Sequence, residues 1–183
     1  MAKITSLTCF ACGLEHDPGQ LQNLCTACGL PLRVDYDFTS IPNRNSLAAR
    51  CDMWRYSAAL PEFPPITLGE GMTPLHRFTE NVWIKDEGVN PTASFKARGM
   101  SAAVSMAKHL GVTDLAAPSA GNAGGALAAY AAKAGLTAHV FMPRDTPGAC
   151  IIEARNHGAQ VFLVDGLIND CGRLIAEQKD EQG

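Results

Sequence analysis

The sequence predicts an α/β protein in which a small cysteine-containing module precedes a domain built on a parallel β-sheet. Two observations lead to this fold class. Residues 1–35 contain two Cys-x-x-Cys pairs, and from Ile66 onward short apolar runs alternate with segments of helical periodicity. Such alternation favours parallel strands joined by right-handed helical crossovers that cover the faces of the sheet. Between these regions, residues 36–65 contain four prolines and one aromatic run, which is typical of a linker or extended segment.

The elements of residues 66–183 can be placed one by one. Apolar runs predict strands at 82–84, 115–117, 139–142 and 161–164. Helical spacing predicts helices over about 95–110, 122–134, 147–157 and from about 168. Ser94 is the expected N-cap of the first helix, and Gly111 is its expected stop. Strand and helix alternate four times, and the last helix runs into the final residues, so we expect a sheet domain that is incomplete at its C-terminus.

Composition and charge limit the classes of function. The chain has 183 residues, of which 46% are hydrophobic and 18% charged, as in globular proteins. Its net charge of −3 argues against nucleic acid as a main partner. No apolar run approaches the roughly 20 residues of a membrane span, and the N-terminus lacks the apolar core of a signal peptide. We therefore expect a cytoplasmic protein with no nucleic-acid partner and no membrane partner.

Four cysteines form two matched pairs, Cys9-Phe-Ala-Cys12-Gly and Cys25-Thr-Ala-Cys28-Gly, with twelve residues between the pairs. Four thiolates at this spacing suit structural zinc in tetrahedral geometry, and the glycine after each pair allows a tight turn. The odd total of seven cysteines disfavours a disulfide framework. A redox dithiol and metal-free cysteines are the alternatives. A nucleic-acid ribbon is disfavoured because residues 1–35 carry a net charge of −1.

Lys96 differs from the other five lysines in its expected surroundings. It should lie in the first turn of a helix, directly after a proline-containing turn and Ser94. The positive end of a helix favours an anionic ligand and opposes a further positive charge. A solvated helix lysine is the alternative on these grounds alone. The remaining lysines have simpler interpretations as terminal, helix-end or ion-paired residues: Lys3, Lys85, Lys108, Lys133 and Lys179.

Four segments in consistent order resemble those of threonine synthases, which are pyridoxal-phosphate (PLP) enzymes of fold type II. They are MWRYSAALP (53–61), LGEGMTPL (68–75), KDEGVNPTASFKARGM (85–100) and PSAGNAGGALAAYAAKAG (118–135). A cysteine ribbon is also found in a subset of these enzymes, and the resemblance runs from about residue 9 to residue 165. It implies a zinc ribbon at 1–35, a linker at 36–65, and the first part of the PLP-binding α/β domain at 66–183.

The resemblance also implies roles for individual residues. Lys96 would bind the cofactor covalently and then transfer protons. Phe95 would pack near the cofactor ring, and Asn122 would donate a hydrogen bond to the phenolic oxygen of the cofactor. Without the resemblance, Asn122 would be an ordinary N-cap or turn residue. Threonine synthases often carry a hydroxyl residue where this chain has Ala120 or Ala123. A loop that binds the substrate carboxylate through backbone amides would comprise Ser119, Ala120, Gly121 and Ala123.

The implied activity belongs to threonine biosynthesis: a lyase that converts O-phospho-L-homoserine and water to L-threonine and phosphate. A threonine or serine dehydratase and a cysteate synthase of the same fold are alternatives. In the family, the glycine-rich loop that holds the cofactor phosphate lies beyond the equivalent of residue 183, and Gly124-Gly125 is the only adjacent glycine pair here. We therefore expect an N-terminal part that is inactive alone, and a truncated fragment without catalysis is a further alternative. The expected partner is a small amino-acid phosphate, with a homodimer compatible with the full-length protein.

Overall fold

The chain divides into two compact units, Met1–Pro64 and Pro65–Gly183. The structure is a computed structural model that describes residues 3–37, 39 and 44–182. Residues 38 and 40–43, which belong to the predicted linker, lie outside the described residues. Within the described part, no helix has both the length and the hydropathy that a membrane crossing requires.

Three short antiparallel strands form the sheet of the first unit. They are β1 (Lys3–Cys9), β2 (Glu15–His16) and β3 (Leu32–Asp37), with β1 in the middle. β3 therefore continues to residue 37, two residues past the end predicted for the ribbon. Each of the two hairpin turns that follow β1 and precede β3 carries one of the cysteine pairs.

The aromatic run in the second half of this unit forms a small local core. Two 3₁₀ helices follow β3, at Arg44–Ser46 and Met53–Ala59. Trp54 is 2% exposed, and its ring meets that of Phe63 edge to face at 5.7 Å between centroids. The Asp52 carboxylate accepts a hydrogen bond from the Trp54 backbone N–H at 3.0 Å, which caps the start of the second 3₁₀ helix.

A parallel sheet organises the second unit, as the sequence predicts. The unit begins with an antiparallel hairpin of β4 (Leu75–Arg77) and β5 (Trp83–Lys85). Helices and strands then alternate: α1 (Lys96–His109), β6 (Asp114–Pro118), α2 (Asn122–Ala134), β7 (Thr137–Pro143), α3 (Gly148–Asn156), β8 (Gln160–Val164) and α4 (Ile168–Gln182). The strands β6, β7 and β8 pair in parallel in that order. The predicted α/β class is confirmed.

Helix α2 packs closely on the sheet because its buried face consists of small residues. Val140 and Met142 of β7 are fully buried beneath it. A Cβ atom added at Gly124 would lie 2.6 Å from the Met142 side chain and 2.9 Å from that of Val140. The helix ends where Gly135 adopts a left-handed conformation with φ of 68°, which glycine tolerates readily. The bounds of α2 agree with the sequence prediction at both ends.

Two local predictions for this unit need correction. The strand predicted at 82–84 does form, one residue later, but it pairs antiparallel with β4 instead of joining the parallel sheet. Helix α1 begins at Lys96, with Phe95 and not Ser94 in the N-cap position. The backbone N–H groups of Ala97 and Arg98 bond three residues back, so the chain is already turning before the first α-helical bond. Ser94 still contributes, because its Oγ accepts the Lys96 backbone N–H at 3.3 Å.

Buried hydroxyl groups fix α1 to the segment that enters the second unit. Ser105 Oγ accepts the backbone N–H of Ile66 at 2.7 Å, and Ser101 Oγ donates to the carbonyl of the same residue at 2.8 Å. Further along that segment, the buried Glu70 accepts the Tyr130 hydroxyl at 2.6 Å. Burial and this hydrogen bond raise the pKa of Tyr130. Because buried polar groups are costly when unpaired, these bonds define where residues 66–70 lie against α1 and α2.

Candidate functional site

The four cysteines of the two pairs meet at one point of the first unit. The Sγ atoms of Cys9, Cys12, Cys25 and Cys28 all lie within 4.8 Å of one another. Three of the separations are 3.5 Å for Cys9 to Cys28, 3.6 Å for Cys12 to Cys25 and 3.7 Å for Cys12 to Cys28. Tetrahedral zinc with Zn–S bonds of about 2.3 Å requires sulfurs about 3.8 Å apart. The donor set and its spacing therefore fit a structural zinc ion.

Both cysteine pairs have the same backbone conformation. The backbone N–H of Cys9 bonds to the carbonyl of Leu14 at 2.8 Å, and that of Cys25 bonds to Leu30 at 2.9 Å. The glycine that follows each pair, Gly13 or Gly29, has a positive φ of 75° or 67°. These are the tight turns that the sequence predicts, and they leave two sulfurs of each pair on the same side of the hairpin.

A backbone amide donates to one of the sulfurs. The Cys12 backbone N–H points at Cys9 Sγ from 3.5 Å, and this hydrogen bond is the main reason that the pKa of Cys9 is lowered to about 6. Cys9 is therefore the cysteine that most readily forms the thiolate that binds metal. Its proximity has the opposite effect on Cys28, whose pKa is raised to about 12. His16, which sequence reasoning did not single out, joins the two hairpins: its Nε2 accepts the Thr26 backbone N–H at 3.2 Å.

Lys96 is the first residue of α1, where the chain leaves a sharply bent turn. Ala93 has a φ of 50°, a left-handed conformation that costs a non-glycine residue about 1 kcal/mol or more. Lys96 is half-buried, and its Nζ lies 4.5 Å from the centroid of the Phe95 ring. Among the residues that the structure describes, no carboxylate pairs with this amine. It is therefore available to a carbonyl or anionic ligand, unlike Lys85, whose Nζ donates to the Thr73 carbonyl at 2.6 Å.

The turn before Lys96 also contains a buried polar atom without a partner. Thr92 is 6% exposed, and its Oγ1 has no hydrogen-bond partner within the described residues. A buried hydroxyl without a hydrogen-bond partner costs about 1–3 kcal/mol of folding free energy, unless a ligand or a water molecule forms the missing bond. Thr92 lies four positions before Lys96, and its unpaired hydroxyl is consistent with a turn that holds a bound group.

The loop between β6 and α2 is organised by the buried side chain of Ser119. Its Oγ accepts the backbone N–H of Gly124 at 2.8 Å and donates to the carbonyl of Gly121 at 2.9 Å. Asn122 is the first residue of α2 and is exposed. Its carboxamide makes no hydrogen bond to the part of the chain that the structure describes, so Asn122 is not the cap of the helix. Ser119 caps the first turn of α2 instead, through its bond to the Gly124 N–H. The amide of Asn122 lies at the positive end of α2.

The only adjacent glycine pair has a packing role. Gly124 is buried against β7, and a Cβ added at Gly125 would lie 2.4 Å from the carboxylate of Glu153 on α3. A carboxylate so close would repel a phosphate group. This glycine pair therefore does not suit the cofactor phosphate. The positions of Lys96 and Asn122 at helix starts are compatible with covalent attachment of PLP and with an amide hydrogen bond to it.

The predicted site residues lie in three places: the cysteine cluster, the loop before α2, and the start of α1. The four cysteines lie together in the first unit, and the residues from 119 to 123 lie together in one loop of the second. Lys96 begins α1, which packs against α2. Both helices thus carry a predicted site residue at their first position, Lys96 on one and Asn122 on the other.

A charged cluster beside Lys96 was not anticipated from the sequence. Glu87 pairs with Arg98 through two hydrogen bonds, from Nε to Oε2 at 2.7 Å and from Nη2 to Oε1 at 2.8 Å. Thr73 donates to Glu87 Oε1 at 2.6 Å and accepts from Lys85 Nζ at the same distance. Asn90 donates to Glu87 Oε2 at 2.9 Å. We call these five residues, Thr73, Lys85, Glu87, Asn90 and Arg98, the Glu87 cluster.

Acid is expected to weaken this cluster. The Arg98 guanidinium and, after it, the Thr73 hydroxyl hold the pKa of Glu87 at about 2, below its usual value of 4.5. A carboxyl with a lowered pKa contributes stability that is fully present above about pH 4.5 and is lost as pH falls toward 2. We expect the thermal midpoint of the second unit to fall over this range, and to fall less steeply in Glu87→Gln. The measurement is calorimetry of the wild type and Glu87→Gln between pH 5 and pH 2. If the thermal midpoint falls with the same slope against pH in both proteins, this expectation is contradicted.

A family model relates this chain to pyridoxal-phosphate enzymes, and curated relatives relate it to threonine synthases. The family model for pyridoxal-phosphate dependent enzymes matches residues 66–183. A threonine synthase of Methanosarcina acetivorans is 37% identical over 181 residues, which cover 92% of this chain and 45% of that protein. A threonine synthase of Methanocaldococcus jannaschii is 33% identical over 95% of this chain and 47% of its own length. The chain thus spans about half the length of the curated relatives it matches.

A solved structure with similar fold is a hydrogen sulfide-producing enzyme from Fusobacterium nucleatum. Its TM-score with this chain is 0.55 at 27% sequence identity, over 61% of this chain and 40% of that one. The match to the Methanosarcina relative is longer than the 66–183 region, so it extends into the unit that carries the four cysteines.

Proposed function

This chain belongs to the pyridoxal-phosphate dependent enzyme family. We propose that it carries part of the catalytic site of a threonine synthase. In the reaction of such an enzyme, O-phospho-L-homoserine and water give L-threonine and phosphate. The observation that carries the proposal is the match to threonine synthases, which for the Methanosarcina relative covers 92% of this chain and so includes the lysine segment and reaches into the first unit. The chain covers 45% of that relative, so the substrate and the activity of the whole protein belong to the proposal.

Bound PLP supplies an electron sink that stabilises the electron pair left on a substrate carbon when a proton is removed. Lys96 is the residue that we propose to hold the cofactor covalently. Its amine has no carboxylate partner among the described residues and lies in the first turn of α1, where the helix end favours an anionic ligand. The Nζ of Lys96 would also take and return protons, as the reaction requires at more than one carbon.

Asn122 and Phe95 are proposed to contact the cofactor ring. The amide of Asn122, at the first position of α2 and without a partner in the described part of the chain, can donate to the phenolic oxygen and stabilise it as an anion. Phe95 is 58% exposed and already lies beneath the Lys96 amine, so its face is available for the ring.

The substrate carboxylate is proposed to bind the loop before α2. The side chain of Ser119 faces inward and fixes the loop, so that binding would use backbone N–H groups at the positive end of the helix. Two positions in this loop are alanine, which leaves the side-chain contacts to the substrate few. The residues proposed for this role are Ser119, Ala120, Gly121 and Ala123.

Structural zinc is the second proposed cofactor. Cys9, Cys12, Cys25 and Cys28 would occupy all four tetrahedral positions, so no position remains for a reacting water or substrate. The ion would therefore stabilise the first unit and take no part in catalysis. We also propose that the protein is cytoplasmic and that its full-length form is a homodimer.

Product analysis distinguishes the proposed reaction from its alternatives. The gene product is purified from its natural cells and supplied with PLP in three separate assays. The first contains O-phosphohomoserine, the second threonine, and the third O-phosphoserine with sulfite. We expect threonine and phosphate in equal amounts from the first substrate alone. Consumption of threonine only would identify a dehydratase, and formation of cysteate would identify a cysteate synthase; either result would overturn the synthase proposal.

The 183-residue chain is assayed beside the gene product. We propose that it binds PLP weakly and does not turn over, because its only adjacent glycine pair is used in packing. Formation of threonine by this chain alone at the rate of the gene product would refute that part of the proposal.

A further inference from the structure

We propose that Glu87 and Arg98 are positioning residues that hold the first turn of α1, and with it the amine of Lys96, against residues 71–74. This inference rests on the proposed role of Lys96. Neither residue is placed to act on substrate directly; they act through the backbone of α1. The Glu87 cluster includes Arg98, which lies two positions after Lys96 in α1.

The geometry of the cluster is suited to fixing a backbone position. The guanidinium of Arg98 meets both oxygens of Glu87, which restricts rotation as well as distance. Arg98 Nη2 also donates to Thr73 Oγ1 at 3.1 Å. Glu87 is in turn held by Asn90, whose Oδ1 accepts the backbone N–H of Gly71 at 3.0 Å. The first turn of α1 is thus tied to two separate segments of the chain.

Partial burial distinguishes this pair from the surface pairs of the same unit. The Arg98 and Glu87 side chains are 31% and 25% exposed, whereas those of Arg144 and Asp165 are 61% and 81% exposed. Exposed ion pairs are largely screened by water and salt and contribute little to order. The Glu87–Arg98 pair is shielded enough to hold its geometry.

The position of Arg98 relative to Lys96 explains how the effect is transmitted. The two residues are separated by two helical steps, about 3 Å along the axis and roughly 200° around it. Their side chains therefore leave the helix on different sides, and Arg98 restrains the backbone without contacting the amine. The helix start needs such a restraint, because Ala93 is in a strained conformation and Ser94 provides one long capping bond of 3.3 Å.

Loss of the Glu87 charge should loosen this turn. In Glu87→Gln the side-chain NH₂ would face one donor of Arg98, so at least one of the two bonds is lost. Lys85 and Arg98 would then remain as two cations around Thr73 without a carboxylate between them. Their repulsion would push the first turn of α1 away from residues 71–74.

The experiment compares Glu87→Gln with Glu177→Gln in the 183-residue chain. Glu177 pairs with Arg173 at 2.8 Å on the exposed side of α4, so it controls for the loss of a Glu–Arg pair. Each protein is mixed with PLP, reduced with borohydride, and digested to measure how much of the adduct is on Lys96. Amide hydrogen exchange without PLP is measured on peptides covering residues 95–101.

We expect Glu87→Gln to lower trapping at Lys96 about tenfold or more, because small displacements of a reacting group have effects of this size. Amide exchange at 95–101 should rise, while exchange in residues 3–37 stays unchanged. Glu177→Gln should match the wild type in both readouts. Arg98→Lys, which keeps the charge but not the two-pronged geometry, should lie between Glu87→Gln and wild type. Thr73→Ser should behave as wild type and Thr73→Val should not.

Three cases separate failure of this inference from failure of the proposed function. If Lys96→Ala retains the full adduct, Lys96 is not the cofactor lysine and the proposed function fails. If wild type traps at Lys96 and Glu87→Gln traps equally with unchanged exchange at 95–101, the positioning role is wrong. If the wild-type chain traps no PLP, unchanged exchange at 95–101 in Glu87→Gln still refutes the inference, and raised exchange there supports it.

Discussion

Replacing Lys96 with alanine is expected to abolish turnover by the gene product, with a loss of at least about 1,000-fold in kcat. The physical reason is that the variant lacks both the covalent attachment for the cofactor and the amine that transfers protons. The yellow colour that wild type develops with PLP should also be absent from the variant. Rates of threonine formation and absorbance spectra with added PLP are the measurements.

Lys108→Ala is the matched control for this substitution. Lys108 lies at the other end of the same helix and is exposed. Its removal changes the charge of α1 by the same amount and leaves the first turn intact, so turnover and colour should be those of wild type. Turnover in Lys96→Ala within tenfold of wild type would contradict the proposed role.

Loss of the cysteine cluster is expected to unfold the first unit. Structural zinc in small cysteine sites supplies about 10–16 kcal/mol of apparent binding free energy. The unit has three short strands, and many of its large apolar side chains are exposed, including Phe10 at 80%. We therefore expect Cys25→Ser to lose zinc and to lose protection from amide exchange across residues 3–37. Metal analysis and hydrogen exchange are the measurements.

Cys51→Ser provides the control, because Cys51 is an exposed cysteine of the same unit that lies outside the four-sulfur cluster. It should keep one zinc per chain and wild-type exchange. A chelator should reproduce the effect of Cys25→Ser on the wild type. If Cys25→Ser contains no zinc yet keeps its exchange protection, the metal is not what stabilises this unit.

Local sequence signals predicted the parts of the molecule that depend on neighbouring residues. The bounds of α2 follow from an apolar small-residue run that Gly135 ends with a left-handed turn. The convergence of the four sulfurs follows from two short turns with glycine behind each pair. In both cases the chemistry that fixes the structure lies within a few residues of the pattern.

Interactions between distant segments were not visible in the sequence. The ion pair expected for Lys85 does form, with its Nζ 4.0 Å from Glu87 Oε1. The sequence did not show that Glu87 also bonds to Arg98 eleven positions away and to Thr73 fourteen positions away. The bond between Glu70 and Tyr130 spans sixty positions. Strand β4 is short and all three of its residues are exposed, so it has no apolar pattern to reveal it. These features arise when the sheet and helices assemble, and no local periodicity encodes them.

The most direct test of the central claim, that Lys96 holds the cofactor, is to locate the covalent attachment. The 183-residue chain is incubated with PLP, reduced with borohydride and digested, and the phosphopyridoxyl group is mapped by mass spectrometry. The expected result is preferential modification of Lys96, in the peptide that contains NPTASFK, over the exposed Lys108 and Lys133. Modification that favours another lysine, or that is spread evenly over all six lysines, would contradict the claim.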